Sequence, residues 1–204
     1  MSVTAGVFGL QGDIEEHLSA LETARARTGT GGESILVKSV EDVKRVDALV
    51  IPGGESTVMG GLSSVKGLMP SLRERIGGGL PTLGTCAGMI MLAKKAQDRV
   101  VGETRQASIG ALDVVIERNS FGRQRESFET QLSVALPGGE RFPGVFIRAP
   151  TVKSVGPGVK ELARLGGAVV AVQQGNVFGT AFHPELSGNT LFYEHLLGLA
   201  RDGK

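Results

Sequence analysis

The chain has 204 residues, of which 41% are apolar and 21% are charged, and its formal net charge at pH 7 is +1. This length and composition are typical of one globular domain with a sizeable core, so we expect a single domain over residues 1–204. A net charge near zero gives no long-range attraction to nucleic acid or to anionic lipid. No apolar run approaches the ~20 residues that a bilayer-spanning helix needs. We therefore expect neither a nucleic-acid nor a membrane partner.

The N-terminus and the cysteine content favour a reducing compartment. No basic segment precedes the first apolar run, so the sequence does not predict a signal peptide. The one cysteine, Cys86, cannot form a disulfide within the chain. Both features lead us to expect a cytoplasmic protein.

Strands alternate with helices in the first half of the predicted order. The apolar run 5–10 predicts a strand, and Asp13 with Glu16 predicts a capping box at the start of a helix that ends near Arg27. Further on, the pattern predicts a strand, a short helix, a strand and a partly helical stretch with Pro70 at a helix start, over residues 35–37, 40–45, 48–51 and 62–76. Such alternation is typical of a parallel sheet.

Strands and hairpins dominate the second half. Residues 118–124 are polar and loop-like, and the last helix carries Leu191, His195 and Leu199 at helical spacing. Strands are predicted over residues 111–116, 128–134 and 144–147, with a hairpin of residues 168–173 and 177–182 around Gly175 and Asn176. We predict an α/β fold with a mostly parallel central sheet, flanking helices and an antiparallel extension.

A G-x-C-x-G pattern links a predicted strand to a predicted helix. The strand covers residues 80–83, Gly84 and Gly88 flank Cys86, and a helix follows from Met89. A nucleophile on a sharp strand-to-helix turn needs small neighbours, and the start of a helix favours a thiolate. The alternative is an inert buried cysteine, so the functional hypothesis depends on finding a base for the thiol.

His183 is the best candidate for that base among the three histidines. It ends a predicted strand, where sites gather in α/β sheets, and an extended chain through Pro184 would put Glu185 on the same side. A carboxylate there can fix the tautomer of the imidazole. His17 and His195 lie on predicted helices, and a packed histidine is the usual outcome there.

Attack of the thiolate on a carbonyl would also require hydrogen-bond donors for the oxyanion. The N–H of Ala87 follows the nucleophile directly and is one candidate. The N–H of Gly54, in the glycine turn after the strand 48–51, is the other. An ordinary glycine turn is the alternative interpretation of that second segment.

These motifs resemble the class I, or triad, glutamine amidotransferases, which release ammonia from glutamine with a Cys-His-Glu triad. The longer strings are similar to one branch, the glutaminase subunits of pyridoxal 5'-phosphate synthases, and they follow the family order over nearly the whole chain. The blocks at 118–124 and 146–150 select this branch. The matching strings are Leu10-Gln11-Gly12-Asp13, 52–57, 84–90, 118–124, 127–129, 146–150 and His183-Pro184-Glu185.

The resemblance implies a flavodoxin-like fold and hydrolysis of L-glutamine to L-glutamate and ammonia. Cys86 would form a γ-glutamyl thioester, His183 would move the proton, and Glu185 would orient His183. Glutamine would be held by Gly54, Glu55, Ser56, Arg118, Ile147 and Arg148.

The resemblance also implies a partner, a synthase subunit that takes up the ammonia. The turn at Gln11 would sense docking of that subunit. Pyridoxal 5'-phosphate would be the product of the complex, so we expect no cofactor in this chain.

Three alternatives remain open from the residues alone. The chain could serve another amidotransferase, such as imidazole glycerol phosphate synthase, although the block at 118–124 argues against it. It could be a noncatalytic glutamine-binding regulatory subunit, or a cysteine hydrolase acting on peptides or esters. No nucleotide-binding motif is present, and one cysteine with three scattered histidines offers no metal-ligand spacing.

Overall fold

The structure is a computed structural model that describes residues 2–98, 102–103, 106–118 and 127–203. The expected loop residues 119–124 lie outside the described residues. Thirteen strands are present in the described part: β1 (Ser2–Phe8), β2 (Gly31–Val37), β3 (Ala48–Ile51), β4 (Thr82–Thr85), β5 (Ala93–Asp98), β6 (Gly102–Glu103), β7 (Leu112–Arg118), β8 (Phe128–Leu132), β9 (Phe142–Phe146), β10 (Thr151–Val155), β11 (Lys160–Leu165), β12 (Ala168–Gln174) and β13 (Val177–Thr180). The helices are α1 (Ile14–Thr28), α2 (Val40–Arg45), α3 (Ser56–Val65), α4 (Leu68–Gly77), α5 (Ala87–Leu92) and α6 (Leu191–Asp202), with a 3-10 turn at Pro184–Leu186.

One large sheet organises the molecule. Its parallel part has the strand order β2-β1-β3-β4-β13. From β13 the sheet continues through β12, β10, β7, β5 and β6, and these pairs are antiparallel except for β5 with β7. β11 pairs with β12, while β8 and β9 form a separate ribbon. The predicted fold class, a parallel centre with an antiparallel extension, is confirmed.

The helices cover the sheet in two groups of mutually contacting elements. α1 and α6 contact each other and strand β1, whereas α2 contacts α4, and α3 contacts both α4 and α5. Among the described residues, no helix combines the length and the apolar character that crossing a membrane requires.

Helix α1 follows the predicted range, but its predicted capping box is wrong. Asp13 occupies the N-cap position, yet its side chain makes no capping hydrogen bond. Its Oδ2 instead lies 3.6 Å from Nδ1 of His183. The turn before α1 packs closely against the loop after β3, and this places the carboxylate beside the histidine rather than over the helix end.

Several boundaries differ from the sequence prediction for local reasons. α3 begins at Ser56, six residues before the predicted start, because the side chain of Glu55 accepts a hydrogen bond from Thr57 N at 3.3 Å and caps it. Pro70 is the third residue of α4, since that helix begins at Leu68. The helix after Cys86 ends at Leu92, and the chain continues as β5, a strand that the sequence analysis missed together with β10 and β11.

Packed phenylalanines support the end of β13. The ring of Phe182 lies 5.6 Å from Phe142, 5.5 Å from Phe146 and 5.6 Å from Phe192, measured between centroids. Aromatic pairs at this spacing stabilise a core beyond the area that they bury. The backbone just before His183 is therefore anchored by a ribbon strand on one side and by α6 on the other.

Candidate active site

Three neighbouring parallel strands end at one edge of the sheet, and the predicted triad and residues 54–56 follow their ends. β4 lies between β3 and β13, with Ile51 opposite Gly84 and Thr85 opposite Thr180. The carboxyl ends of parallel strands meet at the same edge, where ligand sites of α/β sheets form. The loop 52–57, Cys86 and the segment 181–185 begin at this edge.

Cys86 lies on a strained turn between β4 and α5. Its backbone has φ 46° and ψ −102°, and its N–H donates to the carbonyl of Thr180 at 2.7 Å. A Cβ placed on Gly88 would lie 2.0 Å from the carbonyl oxygen of Ile51, so only glycine allows α5 to approach β3 this closely. Sγ of Cys86 lies 3.9 Å from the carbonyl oxygen of Ile147. The predicted strand–turn–helix geometry is present.

His183 and Glu185 form a short hydrogen bond. Nδ1 of His183 and Oε1 of Glu185 are 2.6 Å apart, and the Glu185 side chain is fully buried. The extended chain that we predicted through Pro184 is wrong, because β13 ends at Thr180 and Pro184 begins a 3-10 turn. The proline favours this turn since its fixed φ suits a first helical position. The turn, rather than strand alternation, brings the two side chains together.

The surroundings of His183 favour its protonated form. Burial alone would lower its pKa, but hydrogen bonds with Cys86 and Glu185 and the charges of both groups raise the pKa to about 10. Gly53 makes this arrangement possible, because a Cβ there would lie 2.6 Å from Cε1 of His183. The geometry can hold an imidazolium between a thiolate and a carboxylate.

A cavity of about 210 Å³ opens onto Cys86 and His183. Nine of the eleven residues assigned to the site from the sequence line it, and Glu185 and Gln11 do not. Asp13, Ile90 and Pro150 also line it. The nine predicted residues are Gly54, Glu55, Ser56, Cys86, Ala87, Arg118, Ile147, Arg148 and His183.

One wall of the cavity carries a cluster of polar side chains. Arg118 and Glu55 form an ion pair at 3.0 Å, and Ser56 Oγ donates to Oε1 of Gln106 at 3.1 Å. The same oxygen of Gln106 lies 3.4 Å from Nη1 of Arg118. A free carboxylate and a free amino group would both find charged partners on this wall. Gln106 was missed by the sequence analysis, since nothing in its surrounding pattern marks it.

Three further features bear on the predicted oxyanion donors and the predicted turn. Ala87 is the first residue of α5, so its N–H has no acceptor within the helix. Gly54 lines the cavity, and Gln11 Oε1 accepts a hydrogen bond from the next residue, Glu55 N, at 3.0 Å. The turn at Gln11 is thus joined directly to the cavity wall.

His17, a less favoured candidate for the base, and Asp13, predicted as a helix cap, both lie close to the site. His17 is completely buried, with Nε2 3.6 Å from Oε1 of Glu185. Asp13, His183 and Glu185 place one ligand atom each within 4.8 Å, the one such metal-capable group in the described residues. The nitrogen of this group, Nδ1 of His183, is however already in a hydrogen bond with Oε1 of Glu185 at 2.6 Å. His195 does not line the cavity, and its Nε2 lies 3.3 Å from Oε1 of Gln173.

Comparison with known proteins gives a consistent match. Residues 7–198 match the model of the SNO glutamine amidotransferase family. The pyridoxal 5'-phosphate synthase subunit PdxT of Nitrosopumilus maritimus is 43% identical over 204 residues, covering all of both chains. The subunit of the same name from Leifsonia xyli subsp. xyli is 50% identical over 197 residues, covering 96% of this chain and 95% of the relative.

Solved structures agree with the sequence relatives. A crystal structure of a glutamine amidotransferase is similar with a TM-score of 0.82 and 41% identity, covering 97% of this chain and 98% of the other. A glutamine amidotransferase from Thermotoga maritima has a TM-score of 0.61 at 15% identity, covering 100% of this chain and 84% of the other, and shows the fold alone.

Proposed function

The chain belongs to the SNO glutamine amidotransferase family, and on that premise we propose that it is the glutaminase subunit of a pyridoxal 5'-phosphate synthase. It hydrolyses L-glutamine to L-glutamate and ammonia and delivers the ammonia to a synthase subunit. The single observation that carries the chemistry is the position of His183, in contact with both Cys86 and Glu185 at the edge of one cavity.

The reaction follows from the charges in the cavity. The Cys86 thiolate attacks the side-chain amide carbon of glutamine, and the N–H groups of Gly54 and Ala87 stabilise the resulting oxyanion. His183, held by Glu185, protonates the leaving nitrogen, so ammonia departs and a γ-glutamyl thioester remains. Water, deprotonated by His183, then attacks the thioester and releases glutamate and the thiolate. No bound cofactor takes part, and pyridoxal 5'-phosphate is the product of the complex.

The polar wall supplies the substrate site in this proposal. Arg118 binds the α-carboxylate of glutamine, and Glu55 binds the α-amino group, because these charges complement those of a free amino acid. Ser56, Gly54, Ile147 and Arg148 complete the site around the side chain of the substrate. A peptide or an ester lacks this pair of charges at one carbon, which disfavours the hydrolase alternative.

The partner and the location are part of the same proposal. The relatives at 43–50% identity carry the name of a synthase subunit, which favours the pyridoxal phosphate branch over imidazole glycerol phosphate synthase. A thiol joined to a buried histidine–carboxylate pair favours an enzyme over a regulatory binder. We place the protein in the cytoplasm as a single amidotransferase domain, with Gln11 relaying the docking of the synthase to Glu55.

The test is ammonia release from glutamine, measured with and without the cognate synthase subunit. We expect activity that rises with the synthase and vanishes in Cys86→Ala. Activity that depends on Cys86 but is indifferent to the synthase would reassign the pathway. If glutamine yields no ammonia under either condition, the catalytic proposal fails.

A further inference from the structure

The carboxylate of Glu185 has fewer partners than its burial demands. Its side chain is fully buried, and Oε1 accepts the short hydrogen bond from His183. Among the described residues, Oε2 has no hydrogen-bond partner. An ionised carboxylate without water needs further donors, or it loses its charge and its orientation. Another donor must therefore help to hold it.

His17 offers a further donor to this carboxylate, on the side of Oε1 rather than Oε2. Its side chain is buried, with Nε2 3.6 Å from Oε1 of Glu185 and 3.3 Å from Oγ1 of Thr85. On the other side of the ring, Nδ1 lies 2.7 Å from the hydroxyl of Tyr193 on α6. The histidine thus connects the last helix to the carboxylate behind His183.

The hydrogen-bond partners select one tautomer of His17. In the described part of the chain, the Tyr193 hydroxyl has one partner, Nδ1 of His17. A hydrogen on Nδ1 would leave the phenol proton without an acceptor and would aim the Nε2 lone pair at a carboxylate. With the phenol donating to Nδ1, the ring hydrogen lies on Nε2 and points toward Glu185 and Thr85. The Tyr193 hydroxyl and both ring nitrogens of His17 then each face a partner, and two N–H groups, from His17 and His183, face Oε1 of Glu185.

We propose that His17, fixed by Tyr193, is a positioning residue that donates its Nε2 hydrogen toward Glu185 and so holds this carboxylate against His183. The proposal rests on the function proposed above, because it assigns His17 to the same site. The order of groups becomes Tyr193, His17, Glu185, His183 and Cys86. Two of these groups lie on the helices α1 and α6, which form one contacting pair.

The ionisation states of the neighbours agree with this order. Burial is the largest cause that lowers the pKa of His17, and the positive charge of His183 also lowers it. The negative charges of Glu185, Asp13 and Glu16 raise the pKa but do not cancel the shift. Burial and the charge of Glu185 raise the pKa of Tyr193, so the phenol keeps its proton. A neutral His17 can donate to the carboxylate without neutralising the charge that His183 needs.

The first test reads the tautomer directly. Nuclear magnetic resonance of the 15N-histidine-labelled protein distinguishes a hydrogen on Nδ1 from one on Nε2, and the chain has only three histidines to assign. We expect His17 to be neutral with its hydrogen on Nε2 around pH 7, and to lose this preference in Tyr193→Phe. A hydrogen on Nδ1, or a charged His17, would overturn the proposal.

The second test separates positioning from packing. In His17→Leu, we expect the pKa of His183 to fall from about 10 toward its ordinary value, because Glu185 is no longer held against it. Ammonia release with the synthase should fall about tenfold in kcat with less than a twofold change in KM, a loss typical of removing an outer-shell partner. His17→Gln keeps an N–H near Nε2 and should restore much of both values.

The matched control is His195→Gln, a histidine of α6 whose ring contacts Phe178 and Gln173 instead of the site. It should leave kcat and the pKa of His183 unchanged. If His17→Leu has a lower thermal midpoint but an unchanged His183 pKa, His17 contributes only to packing, and the proposal is overturned. If His17→Leu does not fold, Tyr193→Phe and His17→Gln carry the same comparison. If the native complex releases no ammonia but the His183 pKa still falls, the positioning role stands and the proposed function fails.

Discussion

At the scale of single residues, backbone strain is concentrated at the cavity. In the described part of the chain, Cys86 and Arg148 are the non-glycine residues with positive φ, at 46° and 45°, and both line the cavity. Such conformations cost about 1–3 kcal/mol each and persist only where the surroundings impose them. The thiol therefore has a defined direction at the expense of stability.

Replacing Cys86 by glycine and by alanine measures that strain. At an ordinary position glycine is less stable than alanine by roughly 0.5–1 kcal/mol, because the unfolded chain gains freedom. At φ 46° we expect the reverse, with Cys86→Gly more stable than Cys86→Ala by about 1 kcal/mol. Urea unfolding of the two inactive variants decides this, and a less stable glycine variant would show that the turn is not strained.

The titration of His183 gives a pH dependence of stability with a definite sign. Its pKa is raised from 6.5 to about 10 in the folded state, so the protonated form stabilises the fold. This contribution is complete below pH 6.5 and is lost as the pH rises toward 10. We expect the free energy of unfolding of the native chain to fall more steeply over this window than that of His183→Gln. Parallel curves would contradict the assigned ion pair.

At the scale of elements, a glycine at the contact between α5 and β3 decides how closely the helix approaches the sheet. Gly88 meets the carbonyl oxygen of Ile51, whereas Gly61, exposed on α3, has no atom near the position of a Cβ. The two glycines therefore serve opposite purposes. One permits a contact between elements, and the other only weakens a helix.

The pair Gly88→Ala and Gly61→Ala tests this difference. The first should lower the free energy of unfolding by about 3 kcal/mol or more and abolish ammonia release, because α5 must move away from β3. The second should raise it by about 0.5–1 kcal/mol without affecting activity. Thermal and urea unfolding provide both values, and a tolerated Gly88→Ala would contradict the close approach.

The same elements show what the sequence can and cannot predict. The helix from Ile14, the short helix 40–45 and the hairpin around Gly175 were predicted because periodicity and turn residues are local signals. β5, β10 and β11 were missed because their short, largely polar patterns carry little periodicity, although β11 forms a close hairpin with β12. Glu185 reaches His183 through a 3-10 turn that the extended pattern concealed.

For the site, the motif residues were predicted and the supporting residues were not. The residues in glycine-flanked or proline-flanked motifs, such as Cys86 and His183, stand out in a single sequence. Gln106, Asp13 and His17 lie near the site only through contacts made by folding. Gln106, for example, contacts Ser56 and Thr57, which precede it by 50 and 49 residues. Sequence spacing alone contains no information on such contacts.

At the scale of the whole molecule, the parallel sheet connects the turn at Gln11 to the loop that lines the cavity. Gln11 follows β1 and bonds to Glu55 after β3, and these strands are neighbours in the sheet. A subunit that docks at this turn can therefore change the loop that carries Gly54 and Glu55. The proposed dependence on the synthase has a short physical route.

Removing the amide of Gln11 tests the route. In Gln11→Ala, we expect the stimulation of ammonia release by the synthase to fall severalfold, because Glu55 N loses its acceptor at 3.0 Å. Gln173→Ala is the matched control, since that amide contacts Gly175 and His195 away from the cavity. Equal stimulation in both variants would exclude Gln11 as the relay.

The most direct test of the central claim is to trap the covalent intermediate on Cys86. The native complex is mixed with glutamine, quenched in acid and analysed by mass spectrometry of the peptide that contains Cys86. We predict the mass of one γ-glutamyl group on this cysteine, present with glutamine and lost in Cys86→Ala. Steady ammonia release without any adduct on Cys86 in a rapid-quench series, or an adduct on another residue, would contradict the account.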